Sequence, residues 1–83
     1  MIYGEQNGSA HGIGVALMKD ELKQSMMDEQ VAAEAYRRRA ANAREYGDMA
    51  SADLWEHIAG EEDDHYREFE ARLNAVAFSQ GGY

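Results

Sequence analysis

The chain has 83 residues, a formal net charge of −8, and neither cysteine nor proline. A chain of this length forms one small domain at most, and the lack of cysteine excludes disulfides, thiolate zinc sites and iron–sulfur clusters. The negative charge argues against nucleic acid as a partner and favours the attraction of cations.

The sequence also argues against a membrane partner. No apolar run approaches the roughly 20 residues that a membrane-spanning helix needs, and no signal-peptide pattern opens the chain. We therefore expect the protein in the cytoplasm, or enclosed within a cytoplasmic compartment.

Residues 1–14 contain four glycines and no periodic pattern, and we predict that they form an arm. A first helix is predicted from about Val15 to Tyr46, because apolar residues recur there at steps of three and four. The residues on its stripe are Met18, Leu22, Met26, Glu29, Ala33, Tyr36, Ala40 and Ala43. Gly47 is predicted to end this helix in the left-handed conformation, and Asp48 to cap the next one.

A second helix is predicted to run to about Phe78, which makes residues 15–78 a helical hairpin and leaves residues 79–83 as a flexible tail. The residues on its stripe are Met49, Trp55, Ile58, Glu62, His65, Phe69, Leu73 and Val76. The predicted fold class is therefore all-α, an antiparallel two-helix hairpin.

The two stripes fit together in one register. In an antiparallel hairpin, residues at the same level have numbers with a constant sum. A sum of 91 places Tyr36 opposite Trp55 and also places Glu29 opposite Glu62, with His65 one turn further along. One register thus pairs large apolar residues and gathers three polar residues at one height.

A two-helix hairpin has one apolar face and no second layer to cover it, so we expect it to dimerise. A two-fold dimer is the commonest closed arrangement, and here it would be a four-helix bundle with coiled-coil spacing. The axis would then lie near four carboxylates and two imidazoles, contributed by Glu29, Glu62 and His65 of each copy. A higher oligomer of dimers, or a place in a protein shell or other larger assembly, is also expected.

Four carboxylates inside a core are costly unless they are protonated or paired with cations. Two divalent cations would cancel their charge, and oxygen ligands with one imidazole per metal suit Fe(II), or Mn(II) as the alternative, better than structural zinc. The other interpretation is that these residues only fix the register, as a buried Asn can. Three such residues at one height favour a di-metal site with one iron per chain.

We call the line along which the two predicted stripes face each other the seam. The residues along it match the pattern of a known family. Glu29, Tyr36, Ala40, Ala43, Gly47, Trp55, Ala59, Glu62 and His65 match the spacing in the first helical pair of rubrerythrins, in the ferritin-like superfamily. The resemblance covers about residues 18–73. It implies that Glu29, Glu62 and His65 are iron ligands, that Glu62 bridges two ions, and that the Tyr36 phenol has a supporting catalytic role near the site.

The sequence departs from that family in two ways. Rubrerythrins carry two such helical pairs, whereas this chain carries one and is similar in length to encapsulated ferritin-like proteins, in which two hairpins share a ferroxidase site. Rubrerythrins also commonly add a rubredoxin-like domain that holds iron with four cysteines, and this chain has none.

The function that we expect from the resemblance is Fe(II) oxidation by O2 or peroxide at a di-iron site shared across a homodimer. Two alternatives remain open. One is a rubrerythrin-like peroxide reductase with a separate electron donor, and the other is a structural hairpin whose metal site has no catalytic role.

Overall fold

The computed structural model describes residues 7–81, with side chains from residue 12 to residue 77. Over this range the chain forms two helices and no strand: α1 (Asn7–Glu45) and α2 (Met49–Gly81). The predicted all-α hairpin is therefore confirmed. Its smallest dimension is 12 Å, about the diameter of one helix with its side chains, so the hairpin is a single layer.

The turn between the helices is built as the sequence predicts. Gly47 has a φ of 79°, a left-handed value that costs glycine little because it has no Cβ. The Gly47 amide donates to the Arg44 carbonyl at 3.0 Å, and the Asp48 amide donates to the Ala43 carbonyl at 2.8 Å. These two bonds form a Schellman motif, which satisfies carbonyls that the end of a helix leaves without partners.

Asp48 then starts the second helix. Its side-chain Oδ1 accepts a hydrogen bond from the Ser51 amide at 3.0 Å, and its carbonyl accepts the first helical bond, from the Ala52 amide. This is the geometry of an N-cap, in which a carboxylate accepts from an amide that has no partner within the helix. The predicted cap is confirmed.

Both helices extend beyond their predicted bounds. Helix α1 begins at Asn7 and α2 ends at Gly81, which corrects the predicted arm over residues 7–14 and the predicted tail over residues 79–81. The physical reason is that glycine weakens a helix by about 1 kcal/mol without breaking it, unlike proline. Residues 1–6 and 82–83, the remainder of both segments, lie outside the described residues.

The contact between the helices is made by alanine. The four residues that are at most 2 % exposed are Ala33, Ala40, Ala52 and Ala59. Each pair is seven residues apart, so both helices present a row of small side chains to each other. In the described part of the chain no large side chain is fully buried. The larger apolar residues of the two stripes stay partly exposed, because within the described residues no second layer covers the face of the hairpin that carries them.

The length and hydropathy of the two helices bear on the predicted lack of a membrane-spanning segment. Within residues 7–81, neither helix contains a stretch both long and apolar enough to cross a membrane.

Candidate metal centre

The structure brings the three predicted ligands together. Glu29 lies near the middle of α1, and Glu62 and His65 lie three residues apart on α2, so both of the latter project from one side of the helix. One potential ligand atom from each of the three residues lies within 4.8 Å of the other two. His65 Nδ1 is 3.5 Å from Glu29 Oε2. Their role as ligands remains a prediction that this geometry fits.

The Glu29 carboxylate has an unsatisfied oxygen. Its side chain is 19 % exposed, whereas that of His65 is 52 % exposed. Glu29 Oε2 is buried and, while Glu62 is ionised, has no hydrogen-bond donor among the described residues. A buried carboxylate oxygen without a partner is destabilising, and a bound cation would supply what it lacks.

The surroundings of Glu62 raise its affinity for protons. A hydrogen bond with Glu29, partial loss of hydration and the negative charge of Glu29 together raise the pKa of Glu62, although the charge of His65 partly opposes them. The two carboxyls therefore favour holding a proton between them when no cation is present. A divalent cation would take the place of that proton.

These donors fit a divalent metal. Two carboxylates and one imidazole suit Fe(II) or Mn(II), and every donor lies on the uncovered face of the hairpin. Three protein ligands leave the coordination of such an ion incomplete, because these metals favour octahedral geometry. One hairpin therefore provides half of the ligand set found in ferritin-like di-metal proteins.

An aromatic pair lies on the same face, further toward the turn. The rings of Tyr36 and Trp55 stack with centroids 5.5 Å apart and an interplanar angle of 11°, which confirms the predicted register. Tyr36 follows Glu29 by seven residues, about 10.5 Å along the helix. Its catalytic role remains a prediction.

Arg39 is a neighbour of this pair that the sequence analysis missed. Its guanidinium carbon is 5.4 Å from the centroids of both rings, within the range of a cation–π contact. The available signal was its position three residues after Tyr36, since such residues are neighbours on a helix.

On the side of the hairpin opposite the metal cluster, ion pairs connect α1 to α2. Arg37 pairs with Asp63, while Arg44 pairs with Glu56 and lies 3.8 Å from Asp53. The Arg44–Glu56 contact lowers the pKa of Glu56 through a hydrogen bond. Carboxylates on this side thus have arginine partners, whereas the two on the seam have only each other and a histidine.

Comparison with known proteins identifies the family. A model of the Ferritin-like domain matches residues 6–78, which include all three candidate ligands. Searches of curated proteins and of solved structures give no match. The narrower resemblance to rubrerythrins thus remains a prediction. The extent of the match, over most of the described helices, shows that the chain belongs to the ferritin-like domain family.

Proposed function

We propose that the chain is a di-iron carboxylate protein of the ferroxidase type, which oxidises Fe(II) with O2 or peroxide at a site shared by two copies. The observation that carries this proposal is the buried, unpartnered Glu29 Oε2 beside Glu62 and His65 on the uncovered face. A bound cation would supply the partner that this carboxylate oxygen lacks.

The second copy is argued from the number of ligands and from packing. One hairpin offers three candidate ligands, and a second copy would bring the set to four carboxylates and two imidazoles for two ions. The face that carries the carboxylates also holds half-buried Trp55, Ile58 and Phe69, and covering them with a second hairpin would stabilise the dimer. Both arguments lead to the same two-fold bundle.

The residues have distinct roles in this proposal. Bound iron supplies the electrons and the open coordination positions at which the oxidant is reduced. Glu29 and Glu62 would hold the cations by charge, each in its deprotonated form. His65 binds through a neutral ring nitrogen. Because two Fe(III) ions carry +6, the oxidised product matches four carboxylates less well than the substrate does, which favours its release.

The test is an anaerobic titration with Fe(II), followed by admission of air. We expect saturation at one iron per chain and then oxidation, which is followed by absorbance. Glu62→Ala should lose both, whereas Glu61→Ala should keep both, because Glu61 is the exposed neighbour outside the cluster. Tight binding of zinc without any Fe(II) oxidation would contradict the proposal.

Reaction of the same metal-loaded protein with O2 and with peroxide distinguishes the two alternative functions. Turnover by the iron-loaded protein with peroxide but not with O2 would instead favour a peroxide reductase that uses a separate electron donor. Saturable Mn(II) or Fe(II) binding with no reaction toward either oxidant would favour a structural metal site.

A further inference from the structure

Two adjacent methionines of α1 differ in their position relative to the metal cluster. Met26 precedes Glu29 by three residues, and Met27 precedes it by two. With 100° per residue, Met26 lies about 60° from Glu29 around the helix and Met27 about 160° from it. Residues three apart are neighbours on a helix, with Cβ atoms about 5–6 Å apart. Met26 is therefore beside the cluster, whereas Met27 is on the far side of α1.

The exposure of the two methionines runs the other way. Met27 is 58 % exposed, while Met26 is half-buried. The register that the aromatic stack shows also places Met26 level with His65, whose Nδ1 is 3.5 Å from Glu29 Oε2. An oxidant that arrives from bulk solvent thus meets Met27 first, whereas a short-lived oxidant that forms at the cluster meets Met26 first.

The reaction of Fe(II) with peroxide produces such a short-lived oxidant. When one Fe(II) ion reduces one peroxide by a single electron, the O–O bond breaks and gives Fe(III), hydroxide and a hydroxyl radical. This radical reacts with almost any organic group that it meets, so it is consumed close to where it forms. The methionine thioether is readily oxidised, because its sulfur lone pair accepts an oxygen to form a sulfoxide.

We propose that Met26 is the side chain that oxidising equivalents from the iron site modify first, and that its conversion to the sulfoxide protects the ligand His65. The inference rests on the proposed function, since it requires Fe(II) and peroxide at the cluster. Two peroxides take two electrons from two Fe(II) ions and two from the thioether. One sulfur–oxygen bond forms, and the other oxygens leave as two hydroxides and one water. Methionine sulfoxide can be reduced again, whereas an imidazole ring that has gained oxygen is not restored by that route.

Two further methionines in the described range serve as internal references. Met18 is 47 % exposed and Met49 is 52 % exposed. Met18 lies eleven residues before Glu29, about 16 Å along the helix, and Met49 begins α2 just beyond the turn. Both thioethers are therefore open to solvent and distant from the cluster.

The test loads the 83-residue chain with Fe(II) under anaerobic conditions and then adds one equivalent of hydrogen peroxide per chain. Tandem mass spectrometry of the peptides locates each gain of one oxygen and separates the two adjacent methionines. We expect more sulfoxide at Met26 than at any of the three exposed methionines. Glu62→Ala with the same reagents leaves the iron in solution, so its sulfoxide should follow exposure, with Met27 ahead of Met26.

A matched pair of variants tests the protective role. Met26→Leu keeps a side chain of similar volume and removes the thioether. After the peroxide treatment we expect it to show more oxidised His65 than wild type and to bind less Fe(II) in a second loading. Met27→Leu removes the neighbouring thioether and should match wild type in both measurements.

The iron content of each sample separates the failure of this inference from the failure of the proposed function. If one Fe(II) is bound per chain and the wild-type sulfoxide still follows exposure, the role of Met26 is overturned and the iron site stands. Equal oxidation of His65 in Met26→Leu and wild type would overturn the protective role in the same way. If no Fe(II) is bound and the wild type matches Glu62→Ala, the proposed function fails and this inference fails with it.

Discussion

At the scale of single residues, the pair of seam carboxylates governs how the site responds to pH. Glu62 binds its proton more tightly than an ordinary glutamate, because Glu29 accepts a hydrogen bond from it and adds negative charge. Ligating carboxylates must be deprotonated. A cation therefore has to compete with a proton for the same group.

We predict that Mn(II) binding releases protons and strengthens as pH rises through the pKa of Glu62. Release of the Glu62 proton alone contributes at most about tenfold in affinity per pH unit. Isothermal titration calorimetry in buffers of different ionisation enthalpy measures the number released. Glu61→Gln should keep this dependence, whereas Glu62→Gln should weaken binding and lower the number of protons released. An affinity that does not rise with pH, or binding that releases no proton, would contradict the prediction.

At the scale of the helices, the turn could be predicted closely from the sequence. Gly47 and Asp48 are adjacent residues whose local chemistry determines one helix end and one helix start, so no tertiary information was needed. The register followed from the matching of two stripes, and the Tyr36–Trp55 stack agrees with it.

The bounds of the helices were harder to predict, for physical reasons. Glycines at positions 12 and 14 lower helix propensity without ending a helix, so composition alone placed the start of α1 eight residues too late. Ile13, which fell in the predicted arm, is instead an exposed residue of α1. The complete shared metal site could not be derived from one chain, because half of its ligands would come from a second copy.

Two glycines provide a matched test of the backbone argument. Gly47→Ala should destabilise the hairpin by about 1 kcal/mol, because an L-residue is strained at a φ of 79°. Gly60→Ala should stabilise it by about 0.5–1 kcal/mol, because Gly60 is inside a helix and a Cβ there meets nothing within 4 Å. Urea denaturation measures both. Equal signs for the two changes would refute this account.

The cap at Asp48 predicts a dependence on acid. The hydrogen bonds from Ser51 lower the pKa of Asp48, so its contribution to stability is present above the unfolded value of about 3.9 and is lost as pH falls through the lower folded value. Asp48→Ala should therefore lower the Tm at pH 7, and the difference from wild type should shrink toward pH 2. Asp48→Asn, which keeps an acceptor, is the control. A constant difference across this range would be inconsistent with the cap.

At the scale of the whole molecule, the hairpin is a single layer whose fully buried residues, within the described range, are alanines. Small domains with so little core need added stabilisation from metal, disulfides or association, and the lack of cysteine removes disulfides. The metal cluster lies on the face that a second hairpin would cover. In our proposed function, this one face supplies both remaining sources of stability, metal and association.

Metal should therefore stabilise the assembled protein. A ligand that binds only the folded dimer stabilises it by about 2.7 kcal/mol at one hundred times its Kd. We predict that Fe(II) under anaerobic conditions, or Mn(II), raises the Tm and shifts the monomer–dimer balance toward dimer. Glu62→Ala should abolish both effects, whereas Glu61→Ala should preserve them. Thermal melts followed by circular dichroism, with sedimentation of the same samples, provide the measurement.

When a chelator keeps the protein free of metal, Glu62→Ala should no longer lower its stability. A raised folded pKa means that this carboxyl stabilises the metal-free protein below the unfolded value of about 4.3 and ceases to do so as pH rises through the folded value. At pH 7 the metal-free Glu62→Ala protein should thus be at least as stable as wild type, because one charge has left a crowded seam. If Glu62→Ala instead unfolds in chelator, the carboxylate supports the fold without metal. The structural interpretation of the site would then replace the catalytic one.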